Sequence, residues 1–306
     1  MTDRRRIKPW IFQRMLGLLL LGAGLGLTLS LTSAPAPIYA TPGVPTAPSL
    51  RSWDGGATTH ADLAGDTPWT IRPASVLTYY VYLPFTNKPE CQPIPGESYS
   101  TVSVEPPPTD LPAEEHADLN LALRGYELTN AFKGLVDYSG GGEPKAPQLP
   151  GLFADDRTGT FSNVYQVYDW DWGCNCRGEL LTNWPVTLAG LEVTASETIQ
   201  VPDSGYSIGS GYEVLVLYAS TERITLKYTR DDNVISAYTL HVENVCVDPN
   251  LLALYQESNS TGRSQLPALQ SGQAFGRARG AEIGVAIRDN GTFMDPRSRN
   301  DWWRGR

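Results

Sequence analysis

"AEIGVAIRDNGTFMDPRS", residues 281–298, is an apolar strand that runs through Arg288 into a polar turn, Asp289, Asn290 and Gly291, and on to Phe293-Met294-Asp295-Pro296. An apolar run that meets three consecutive turn formers is a hairpin signal. It predicts a closing strand over 282–288, folded back by residues 288–291 onto "TFMDP".

The segments before it keep a β rhythm. "LPALQSGQAFGRA" (266–278) reads as a turn-rich approach to the closing strand. "PNLLALYQES" is the exception: Asp248 suits an N-cap, Pro249 the first helical position, and Leu251, Leu254 or Tyr255, and Ser258 mark a helical spacing that ends before Gly262. "YEVLVLYA" (212–219) is apolar on both faces, as in a covered central strand. "RITLKYT" (223–229) alternates, "RDDN" (230–233) turns, and "VISAYTLHVENV" (234–245) returns as its partner.

In the first half, "VLTYYVYLPF" (76–85) and "NVYQVYDWDW" (163–172) read as strands, and "PPPTDLP" (106–112) as a rigid connection. In "DLNLALRGY" (118–126) the alternation of Leu119, Leu121 and Leu123 predicts a half-buried strand. Tyr168, Trp170 and Trp172 alternate with carboxylates ahead of a cysteine pair. They can form a sugar-stacking platform, or pack a sheet face beneath a disulfide. The whole chain is 41% hydrophobic and 19% charged, and its 15 Tyr, 8 Trp and 24 Pro favour a turn-rich, mainly β protein.

The first forty residues read as an export leader. Arg4, Arg5, Arg6, Lys8 and Arg14 precede and flank the apolar run 15–32, and cleavage is expected after Ala40. The run is also just long enough to remain as a membrane anchor. Residues 41–75 read as a linker rich in Pro, Gly and Thr. The leader holds five of the 24 basic and one of the 33 acidic side chains, so the mature chain keeps 19 and 32, a net charge of −13. Such a surface repels nucleic acid, whose phosphates need a basic face. The one basic cluster, Arg297, Arg299, Arg304 and Arg306 around Trp302 and Trp303, reads as a solvated tail.

Four cysteines in an exported chain point to two disulfides. Cys174 and Cys176 are separated by one residue, and a bridge between them would be strained. The expectation is that Cys91 and Cys246 each pair with one of them.

From about Thr187 to Ser298 the chain resembles the lysostaphin-type zinc peptidases, which cut peptide cross-links in bacterial walls. "AGLEV" (189–193) is similar to the family's His-x-Gly-x-Asp segment, "AYTLHVENV" (237–245) to its Tyr-x-His-Leu strand, "LQSGQAFGRA" (269–278) to its glycine-containing turn, and "EIGVAIRDNGTFMDP" (282–296) to its closing hairpin. The resemblance implies an antiparallel β-sandwich or barrel-like module of the duplicated hybrid motif type over 187–306; the strands read ahead of it make a smaller β-rich module over 76–186.

It also implies that the catalytic centre is gone. The family's first zinc-binding His falls on Leu188, its ligand Asp on Glu192, its last ligand His on Gly284, the partner of that His on Glu282, and its water-orienting His on His241. A catalytic zinc needs about three protein ligands and an open position, and this set supplies one or two carboxylates. The expected protein is therefore an exported, non-catalytic pseudo-peptidase that needs no metal or cofactor. Its residual groove would include Glu192, His241, Glu282 and Arg288, and its partner would be an envelope polymer (peptidoglycan or polysaccharide) or another protein. It would meet the membrane only through an uncleaved leader. The alternatives are an active wall peptidase with its ligands elsewhere, and a structural envelope protein.

Overall fold

In a computed structural model of the chain, residues 91–140 and 142–306 are described. The leader, the linker and the strand expected at 76–85 lie outside them. The described residues belong to one compact unit, which is mainly antiparallel β.

The strand expected to close the fold lies at its centre. β13 (Glu282–Asp289) pairs on one side with β9 (Tyr238–Glu243) and on the other with β5 (Leu188–Glu192), both antiparallel. Beyond β9 come β8 (Arg223–Lys227), β7 (Val214–Ala219), β11 (Gln265–Leu269) and the edge strand β1 (Ser100–Ser103). Beyond β5 come β3 (Phe161–Asp171) and β2 (Tyr126–Leu128), and β4 (Cys176–Leu180) pairs with the outer end of β3. The expected hairpin forms: Arg288 faces Phe293 and Asp289 faces Thr292 of β14 (Thr292–Phe293). Asn290 (φ 46°) and Gly291 (φ 80°) take the two left-handed positions of a tight turn, which suit these residue types.

A second sheet of three strands, β6 (Thr198–Gln200), β12 (Ala274–Ala278) and β10 (Val245–Val247), packs on one face of the first. β9 passes directly into β10 at Asn244 (φ 59°), so one left-handed residue carries the chain from one sheet to the other. Phe275, Ile199, Val245 and Val247 from this layer, and Leu251 and Tyr255 from helix α2 (Pro249–Ser260), meet Ile283, Val285 and Ile287 in a common core. The α2 start is as expected: the Asp248 carboxylate accepts from Asn250 N, and its other oxygen accepts from Ile94 N.

Several expectations are corrected. The segment expected as a strand at 118–126 forms a one-turn helix, α1 (Leu121–Arg124), before β2. Asn120 caps it through Ala122 N and Gly125 (φ 70°) ends it, and these two local signals override the leucine alternation. The turn-rich approach at 266–278 contains two core strands, β11 and β12, joined by a turn through Gly272. The tail is solvated only in part: Arg304 and Arg306 are exposed, but its aromatic residues and Arg297 are not. Trp302 and Trp303 are buried in the main core, and their indole N–H groups donate to Asp295 O and Pro296 O, both at 2.8 Å. Arg297 forms a buried, two-pronged pair with Asp295. The two modules expected to meet at 186/187 are continuous, because β3 lies before that point, β5 after it, and the two pair in one sheet.

The cysteines pair differently too: Cys91 with Cys246, and Cys174 with Cys176, leaving no free thiol. Asn175 (φ 51°) reverses the chain within the β3–β4 loop and brings Cys174 and Cys176 to a Cα separation of 5.3 Å, an ordinary disulfide distance. Two disulfides fit an oxidising, extracytoplasmic environment.

The two bridges close loops of very different length, with sequence separations of 155 and 2. On the chain-entropy account, losing Cys91–Cys246 costs about 5 kcal/mol and losing Cys174–Cys176 about 1.5 kcal/mol. Denaturant unfolding of the two double-serine variants checks this order. Non-reducing peptide mapping should link the Cys91 peptide to the Cys246 peptide; a link from Cys91 to Cys174 or Cys176 would contradict the fold.

Candidate functional site

β13 has two unlike faces because successive side chains point to opposite sides of a strand. Ile283, Val285 and Ile287 enter the main core, while Glu282, Gly284, Ala286 and Arg288 face the other way. The same register places Leu188 and Gly190 of β5, and His241 and Glu243 of β9, on that second face.

Its deeper end is a buried polar layer under residues 116–124. Arg124 and Arg288 converge on one oxygen of Asp118, each at 2.7 Å. Arg288 also donates to Gly291 O and lies 4.6 Å from the centre of the Phe293 ring, so it holds the hairpin closed. The two guanidinium groups hold the Asp118 carboxyl below its usual range against the upward push of burial. His241 is fully buried. Thr225 Oγ1 donates to Leu119 O, so it accepts from His241 Nδ1 at 3.0 Å, leaving Nε2 as a bare nitrogen without a partner among the described residues. Burial, then the nearby Arg288, lowers the imidazole pKa to about 3, so it is neutral at physiological pH. Both His241 and Arg288 serve this interior layer.

The shallower end opens into a cleft of about 690 Å³ with Leu188 and Gly284 in its lining. A Cβ on Gly284 would lie 3.2 Å from Leu188 Cδ2 and 3.2 Å from Glu243 Cβ. The positions onto which the resemblance carries two zinc-binding histidines are thus side by side in this cleft, and neither has a donor atom. Among the described residues, no group of three or more His, Cys, Asp or Glu is placed to hold a metal ion. The donor set does not fit zinc.

The cleft is built from charged residues held in specific pairs. Arg223 donates through Nε to both oxygens of Glu243, at 2.9 and 3.2 Å, and Arg279 lies 3.4 Å from Glu222. Burial raises the Glu243 carboxyl pKa despite the Arg223 partner. Glu282 reaches back over β5 to β3, where its carboxylate accepts from Ser162 Oγ, Asn163 Nδ2 (2.7 Å) and Tyr165 Oη (2.8 Å). Gly190 makes that crossing possible, since a Cβ there would lie 2.5 Å from the Glu282 carboxyl carbon. The Cys91–Cys246 bridge, Arg277 and the exposed loop residues Ala195 and Ser196 also line it.

The candidates separate in space. Glu282 lines the cleft; Glu192, its cross-strand neighbour, lines a shallower depression with Asp155, Arg157 and Glu197. Tyr168 and Trp170 lie on the outer end of β3 and Trp172 in the turn after it, outside the cleft lining. Trp172 is 49% exposed, packs edge-on against His116 and Trp170, and sits beside the Cys174–Cys176 bridge. Sequence reading missed Arg223, Glu243 and Arg277. The first two were legible only as alternate positions on adjacent strands, and Arg277 lay in the segment read as turns.

No family model matches the chain, and no curated protein and no solved structure is significantly similar to it.

The Gly190–Glu282 crossing has a direct test. Gly190→Ala should force the carboxylate off β3 and cost about 1–3 kcal/mol by overpacking, read as a lower denaturant midpoint with an unchanged slope. Unchanged stability would contradict this placement of Glu282.

Proposed function

We propose that this protein is an exported, non-catalytic binding protein that acts outside the cytoplasm at the cell envelope and takes its ligand in the cleft floored by Leu188 and Gly284. One observation carries the reading: Leu188 and Gly284, the positions onto which the proposed resemblance carries two metal-binding histidines, border an open cleft of about 690 Å³. Binding sites are concave, with a few fixed polar groups set among apolar ones. Arg223–Glu243 and the anchored Glu282 supply such groups, each held by neighbours rather than free to sweep through solvent.

The two disulfides and the basic-then-apolar start of the chain support export. Peptidoglycan and envelope polysaccharide are the first polymers to test. The acidic mature chain disfavours nucleic acid.

A cleft-blocking variant tests the reading. Ala195 is exposed on the rim, so Ala195→Trp should fill the opening without disturbing the core. The expected outcome is that the mature protein is retained on purified peptidoglycan or envelope polysaccharide, that Ala195→Trp abolishes retention, and that Gln256→Trp, on the exposed side of α2, does not. Retention unaffected by Ala195→Trp would move binding elsewhere. One tightly held zinc per chain, with peptide cleavage lost on chelation, would overturn the non-catalytic reading.

A further inference from the structure

The cleft contains one ion pair too few. Among the described residues its lining holds three arginines, Arg223, Arg277 and Arg279, and three glutamates, Glu222, Glu243 and Glu282. Arg223 is joined to Glu243 and Arg279 to Glu222. The remaining cation and the remaining anion are not joined to each other.

Arg277 sits mid-strand in β12, opposite Cys246 on one side and Thr198 on the other, a backbone position fixed by two strand pairings. Among the described residues its guanidinium has no ion-pair partner, and its Nε is buried with no hydrogen-bond acceptor. The residue is half-buried, and an arginine fork fixed at the cleft wall favours a planar, two-oxygen anion such as a carboxylate. Glu282 is the complement. A carboxylate offers about four lone-pair sites, and Ser162, Asn163 and Tyr165 fill three of them with neutral donors. Its charge is thus oriented but not cancelled, with one site left on Oε1.

The described lining residues are electrically balanced. A polyanion entering it would face three carboxylates, and a simple cation would face the uncompensated Arg277. A net-neutral molecule with both charges satisfies both residues at once. We propose that the cleft binds a small zwitterion, its carboxylate on Arg277 and its ammonium on Glu282, as a free α-amino acid or a short peptide with free termini would present them. This assignment rests on the reading of the cleft as the binding site.

Calorimetric titration of the mature protein with a panel of free amino acids and dipeptides tests it, each compound set against its C-amidated and N-acetylated derivatives. The expected result is that at least one free compound binds, and that either modification weakens it tenfold or more. Arg277→Gln should then bind the free and amidated forms equally, and Glu282→Gln the free and acetylated forms equally. The derivatives probe the unaltered protein, so the assignment stays testable even where a variant fails to fold. It is overturned if no free compound binds, or if blocking either terminus leaves affinity unchanged. A polymer released by Ala195→Trp in a protein that binds no zwitterion would remove the ligand class and leave the cleft. Polymer retention indifferent to Ala195→Trp would remove the cleft itself.

Discussion

The register of β13 between β9 and β5 is the constraint on which the other features depend. Side chains on a strand alternate with a period of two, so a slip of one residue would exchange its faces. Ile283, Val285 and Ile287 would leave the core, and Glu282 and Arg288 would be driven into it. Both neighbours enforce the register. β9 pairs along six residues from Gly284 to Asp289, and β5 along four from Glu282 to Val285. The Asn290-Gly291 turn pins the far end, and Arg288 locks it through Gly291 O and Asp118.

With that register set, the second face of the sheet divides by depth. Where residues 116–124 cover it, the polar groups are buried and held by one another: Arg124 and Arg288 by Asp118, and His241 by Thr225. Such buried clusters are strongly destabilising to break because the remaining charge stays desolvated. Where the cover ends, the same face opens into the cleft, and charge becomes available to a ligand. Two glycines mark the transition. Gly190 lets the Glu282 side chain cross β5, and Gly284 leaves Leu188 and Glu243 in contact range of its backbone. The Cys91–Cys246 bridge ties the end of the cleft formed by β10 to the N-terminal side of the described chain.

Local signals were the legible ones. Asp248-Pro249 announced α2, and Asp289-Asn290-Gly291 announced the hairpin, because each depends on a few adjacent residues. β7 was legible as a covered strand, all six of its residues being buried. Most of the misreadings involve contacts that only the fold brings together. Trp302 and Trp303 looked like part of a basic tail because their acceptors, Asp295 O and Pro296 O, and the core they enter are visible only in the fold. Lys227 looked like the polar side of an alternating strand, yet it is fully buried, with its amine donating to Ser236 O and its pKa lowered by burial to about 8. The cysteine pairing failed for a local reason: one residue between two cysteines was read as too short a spacer, whereas a left-handed Asn175 makes the turn. Glu282 was legible as a site candidate; the three β3 side chains that orient it were not, because they lie about 120 residues away.

On this reading ligands enter the cleft beside β13 and not the aromatic tip of β3. Hydrogen–deuterium exchange of the mature protein, with and without soluble peptidoglycan fragments, tests it most directly. Ligand in the cleft slows exchange only in residues 188–196, 222–223, 243–246 and 277–284, the segments that build it. Protection confined to residues 168–177, around Trp170, Trp172 and the Cys174–Cys176 bridge, would contradict it.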